Sequence, residues 1–115
     1  IDDLAILKQE IDKIAALNPH VIGLDLEYCT DGVFVASALM QLSYINVDLV
    51  IDAYILRESI SSILTPLFSN PNIVKLVHGG DTDISLIISD LNIPIINVFD
   101  TSLAFREIIR ASETC

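Results

Sequence analysis

Three acidic side chains stand out by their type and spacing. Asp25 and Glu27 lie two residues apart inside the apolar stretch Val21-Ile22-Gly23-Leu24-Asp25-Leu26-Glu27. In an extended strand, residues two apart point to the same face. Carboxylates held side by side at the end of a buried strand repel each other and lose hydration, and divalent cations relieve that cost. An ordinary half-exposed strand with a polar face displays the same pair, so D-x-E alone leaves both readings open. Asp83 adds a third carboxylate. It follows an apolar run and Gly79-Gly80, falls in the first turn of a helical pattern, and precedes Ile87 by four residues. That spacing puts it on the helix's buried stripe and leans it toward the preceding strands. Asp81, two residues earlier, is expected to point away, as helix N-terminal decoration favoured by capping and the macrodipole.

Periodicity supplies the elements that must position these groups. Asp2 to Leu17 carries Leu4, Leu7, Ile11, Ile14 and Ala15 at helical spacing and stops at Asn18-Pro19. A strand follows from His20 to Tyr28, then a loop from Cys29 to Phe34, a second strand near Ala36 to Tyr44, and a third from Asp48 to Ala53. Short connections make these three an antiparallel meander. A helix is predicted from Arg57 to Phe68, kinked or split by Pro66. A fourth strand, Ile73 to His78, turns at Gly79-Gly80 into a helix from Asp81 to Leu91, with Ile84, Ile87, Ile88 and Leu91 buried. A fifth strand, Ile95 to Phe99, leads through Asp100-Thr101 to a last helix, Ser102 to Ala111, with Leu103, Ile108 and Ile109 inward. Alternating strands and helices in the second half imply parallel pairing. The expected architecture is α/β: a mixed sheet with helices on both faces, three meander strands followed by parallel βα units, the layout of the ribonuclease H-like fold. Ligand sites in such sheets gather beyond the carboxyl ends of parallel strands, where all three carboxylates are expected to lie and converge on a shared cation.

The stretch Val21 to Glu27 resembles the first motif of DEDD-type 3′-5′ exonucleases, which carries D-x-E. Lys75-Leu76-Val77-His78-Gly79-Gly80-Asp81-Thr82-Asp83-Ile84 resembles the second motif of their RNase D-like branch, H-G-x-x-x-D. Leu39-Met40-Gln41-Leu42, Val50-Ile51-Asp52 and Asn97-Val98-Phe99-Asp100-Thr101 add to a likeness that runs from about Ile14 to Leu103. It is strongest to the exosome-associated exoribonucleases. The resemblance implies a metal-dependent 3′-5′ exonuclease acting on the 3′ end of RNA, or of DNA, through two divalent cations, Mg²⁺ or Mn²⁺. Asp25 would bridge both ions, Glu27 would ligate the first, Asp83 would hold the second, and backbone around Leu26 and Tyr28 would meet the terminal nucleotide. The family's third motif, Y-x-x-x-D, should follow Asp100-Thr101 and does not occur there; the tyrosines Tyr28, Tyr44 and Tyr54 all lie upstream, and the one match to the spacing, Tyr44-Ile45-Asn46-Val47-Asp48, falls in the meander. The expectation is therefore a single partial domain over residues 1–115, with its C-terminal part missing and its site completed by a further segment or a protein partner. Position 86, where exosome-associated members often carry a large aromatic, holds Leu86.

Other polar residues have plainer readings. His78 is expected to fix the Gly79-Gly80 turn, Asp100 to cap the last helix, and Asp52 to serve structure; His20 is uninformative. The composition, 52% hydrophobic and 19% charged, suits one globular domain. No apolar run reaches membrane-span length and the acidic amphipathic N-terminus is no secretory signal, so a soluble protein is expected. Position 1 is not Met, which suggests an excised or processed chain. Cys29 and Cys115 make neither a disulfide framework nor a zinc site, which fits a reducing, intracellular setting; the family likeness favours the nucleus over the cytoplasm. A net charge of −10, with six scattered basic residues, opposes general nucleic-acid binding. That charge leaves a second reading, a catalytically inactive pseudonuclease that binds nucleic acid or protein as a scaffold. A phosphoacceptor domain is set aside, since it wants a Lys on the last strand and Ile95 to Phe99 has none.

Overall fold

The computed structural model describes residues 1–113; Cys115 lies outside them. Helix α1 (Leu4–Ala16) opens at Asp3, whose carboxylate accepts the Ile6 N–H at 3.0 Å, and buries Leu7, Ile11 and Ile14. Strands β1 (Val21–Asp31), β2 (Phe34–Tyr44) and β3 (Val47–Asp52) form the meander. Helix α2 (Ile60–Phe68), strand β4 (Val74–Val77), helix α3 (Asp81–Ser89), strand β5 (Val98–Asp100) and helix α4 (Thr101–Glu113) complete the chain. The sheet order is β3-β2-β1-β4-β5. Pairs β1–β2 and β2–β3 are antiparallel, while β1–β4 and β4–β5 are parallel. The mixed sheet is thus the expected one, and β1 is its central strand.

One face of that sheet is dry. Ile22, Leu24 and Leu26 of β1 stand beside Met40 and Leu42 of β2, which face Ile51 and Leu49 of β3. Helices α1 and α2 cover them with Leu7, Ile11, Ile60, Leu64 and Phe68, and α3 adds Leu86 and Ile87. Period-two alternation then sends Asp25, Glu27, Leu39, Val50 and Leu76 to the opposite face, where they are exposed. Helices on both faces were expected; the described residues cover one.

Several boundaries also differ. Cys29 to Phe34 is no loop: β1 continues to Asp31 and turns at Gly32-Val33 into β2, a hairpin arm with Val33 and Phe34 exposed at its tip. Residues 57–59 turn before α2 begins, and α2 runs unbroken through Pro66. The carbonyl that Pro66 leaves unpaired belongs to exposed Ser62, within reach of water. The fifth strand is shortened to Val98–Asp100, because Pro94 has no N–H to donate and the Ile96 N–H goes to the Phe68 carbonyl at 3.2 Å. Ile88 is 50% exposed, whereas Leu91 is buried as expected and Ile93 joins it in the core. Leu103, Ile108 and Ile109 do not point inward: α4 buries no residue, because it departs from the strand at the sheet's edge.

Candidate active site

The acidic site forms where β4 leaves the sheet. Strand β4 pairs with β1 only from Val21 to Gly23, so the next N–H groups on that side of β1 lose their ladder partner. Helix α3 enters the gap. The Asp83 carboxylate accepts the backbone N–H of Leu26 at 3.3 Å, between Asp25 and Glu27. Asp83 therefore faces β1 and not open water. Burial raises its pKa above the ordinary carboxylate value. The Leu26 N–H opposes that rise, while Asp25, by charge and hydrogen-bond contact, and Glu27, by charge, add to it. Asp81 is exposed, as expected.

Asp25 and Glu27 project from the open face, and a shallow depression of about 260 Å³ beside Asp25 is lined by Gln41, Ser43, Leu76, His78 and Thr101. Immediately after Glu27 the register with β2 slips by one residue, so that Glu27 faces Leu39 and Tyr28 faces Ser37. The slip is pinned from outside the sheet. The Tyr54 N–H donates to the Ala38 carbonyl at 3.2 Å, and Asp90 accepts the Ser37 N–H at 2.8 Å while pairing with Arg57. Leu26 buries its side chain and commits its N–H to Asp83; Tyr28 is 44% exposed. Leu86 is buried, so it offers no face for base stacking.

One junction residue has a role other than the expected one, and another has a role beyond it. The Gly79-Gly80 turn is held by Asp100, not His78. One Asp100 oxygen accepts the N–H groups of Gly79 and Ser102, and the other accepts that of Gly80, each at 2.9 Å. The Gly80 and Gly79 bonds are the largest causes that hold the Asp100 carboxyl below its usual value. His78 instead places Nδ1 2.8 Å from the Thr101 hydroxyl, which donates to the Val77 carbonyl at 3.2 Å. Asp100 was legible as a helix cap, and it is one; its grip on a second junction depends on β4–β5 pairing that periodicity does not reveal.

The donor set suits hard cations: carboxylates alone, with Asp83 raised first by burial and then further by its acidic neighbours Asp25 and Glu27. Among the described residues, no three His, Cys, Asp or Glu side chains close into a metal-holding cluster. Basic side chains are occupied elsewhere. Lys8, Lys13, Arg57 and Arg110 pair with acids, Arg106 reaches Ser102, and Lys75 is buried with its ammonium on the Asn70 carbonyl at 2.7 Å. Among the described residues, no helix is long and apolar enough to cross a membrane.

The 3′-5′ exonuclease family model matches residues 1–111. Human exosome complex component 10 is 34% identical over 107 residues, 92% of this chain and 11% of that protein. Protein RRP6-like 3 of Arabidopsis thaliana is 41% identical over 68 residues, 59% of this chain and 8% of that protein. The catalytic core of RRP6 from Trypanosoma brucei aligns with a TM-score of 0.83 at 31% identity, covering 92% of this chain and 29% of that one. Escherichia coli RNase D, at 21% identity and a TM-score of 0.75 over 88% of this chain and 26% of its own, shares the fold. The chain spans 8 to 16% of the length of the curated relatives it matches. With D-x-E on the central strand and H-G-x-x-x-D at the α3 junction, the chain belongs to the 3′-5′ exonuclease family, as an RNase D-like domain of ribonuclease H-like fold related to RRP6.

Proposed function

We propose that this chain contributes the acidic centre of a metal-dependent 3′-5′ exoribonuclease. The observation that carries the reading is the Asp83 carboxylate docked on the Leu26 N–H between Asp25 and Glu27. Asp25, Glu27 and Asp83 are the residues that would hold Mg²⁺ or Mn²⁺. When bound, two such cations supply Lewis-acid stabilisation of the scissile phosphate and activation of the attacking water. The chain's own part is to aim and hold. Central β1 fixes Asp25 and Glu27 on one face, and the Leu26 N–H orients Asp83. Exposed Tyr28 stands beyond Glu27 to meet the terminal nucleotide, with backbone around Leu26. Because the basic side chains are committed elsewhere, bound cations must offset the −10 charge before a phosphate approaches. RNA is favoured over DNA, and a nuclear setting over a cytoplasmic one, by the likeness to exosome component 10.

The test has two arms. Millimolar Mn²⁺ should raise the melting temperature of the chain, by about 2.7 kcal/mol of stability at 100 times Kd, and leave Asp25→Asn unmoved. An equal rise in the variant overturns the site. A 5′-labelled RNA given to the chain joined to a downstream Y-x-x-x-D segment should shorten one nucleotide at a time, while the 115 residues alone turn over poorly, because their two recognised motifs hold no residue that orients the attacking water. Inertness of the joined protein supports the scaffold reading, which buried Leu86 also favours.

A further inference from the structure

Helix α3 delivers Asp83, yet it has no anchor of its own at its start. Its N-cap is Gly80, which offers no side chain to accept the first N–H groups. The turn before it is tight. Gly79 sits at φ +64°, and a Cβ on Gly80 would stand 2.6 Å from Val77 Cγ2, so the chain has one narrow course from β4 into α3. What holds that course comes from the neighbouring strand. The β4–β5 register sets Asp100 level with Val77, and its two carboxylate oxygens take the Gly79 and Gly80 N–H groups while also capping α4 through Ser102. Thr101 ties the same two strand ends through the Val77 carbonyl and His78.

We propose that Asp100 is a positioning residue for the acidic site: by gripping the Gly79-Gly80 turn from β5 it sets where α3 begins, and so sets the reach of Asp83 to the Leu26 N–H of β1. It touches neither cation nor substrate. Three links run in series, with β5 holding the β4–α3 turn, the turn holding α3, and α3 holding the β1 site. The inference rests on the reading of Asp83 as a cation ligand only for its functional consequence; the mechanical link stands apart from it.

The experiment follows two site readouts in the 115-residue chain, with the global unfolding midpoint as control. In Asp100→Ala the Leu26 amide should exchange with solvent faster, approaching its rate in Asp83→Ala, and Mn²⁺ affinity should fall about 10- to 100-fold, the usual consequence of losing an outer-shell support. Asp100→Asn keeps one oxygen acceptor and should restore part of both. If Asp100→Ala does not fold, Asp100→Asn carries the test, with intermediate values of the same readouts expected. A folded variant with lower global stability but unchanged Leu26 exchange and Mn²⁺ affinity overturns the proposal. Wild-type chain that binds no Mn²⁺ overturns the function proposed above, and the Leu26 amide then decides the positioning claim by itself.

Discussion

Helices α3 and α4 are near twins in layout and opposites in what they do. Each leaves the end of a parallel strand, each opens beside aspartate, and each carries an apolar stripe. Helix α3 buries Leu86 and Ile87 against the core and sends Asp83 to the central strand. Helix α4 buries nothing, although Leu103, Phe105, Ile108 and Ile109 are all apolar. The difference is where the parent strands lie. Strand β4 adjoins central β1, so the helix after it meets the covered face of the sheet; β5 is the edge strand, so the helix after it leaves the body. An amphipathic pattern says that a helix has a face to bury, not that a partner lies opposite it.

The largest test of this contrast is a matched pair of truncations. Ile87→Ala, at a position 1% exposed, should cost about 2–5 kcal/mol in urea unfolding, through lost burial and a cavity. Ile108→Ala, at a position 68% exposed, should stay within about 0.5 kcal/mol. Equal losses would show that α4 is packed in solution and would erase the distinction. A second test addresses the α3 junction. Gly80→Ala forces a methyl against Val77, and about 1–3 kcal/mol of stability should be lost through overpacking, read from the same denaturation curves.

The smallest effects compare the two aspartates in chelator-treated buffer. Asp83 has a raised pKa in the fold, so its favourable contribution is full below its ordinary 3.8 and is lost as pH rises through the raised value. Asp83→Asn, which keeps an oxygen for Leu26, should therefore melt higher than wild type at pH 7, with the gap closing toward pH 3.8. Asp100 has a depressed pKa, so its contribution is present above 3.8 and is lost as pH falls through the lower value. Asp100→Asn should melt lower at pH 7, and the gap should close only below pH 3.8. Shifts of the same sign in both variants would mean that one of the two environments has been misassigned.

Much of this was legible from residue order alone. Period two in Val21 to Glu27 puts Asp25 and Glu27 together on the face opposite Ile22, Leu24 and Leu26, because the pleat is a local property of the strand. Helical spacing from Asp83 to Ile87 leans Asp83 toward the sheet for the same local reason. The meander, the βα units and the family motifs follow from short-range pattern as well. Tertiary structure decided what depends on neighbours distant in the chain. It chose which N–H on β1 lacks a ladder partner for Asp83 to take, and it placed Asp100 level with Val77 so that one carboxylate serves two junctions. It left α4 exposed at the edge, and it drew Arg57 to Asp90 beside the register slip. Each of these is a pairing across strands or between ends of the fold. The free energy of such a pairing arises only when the partners meet, so neither partner's local sequence records it.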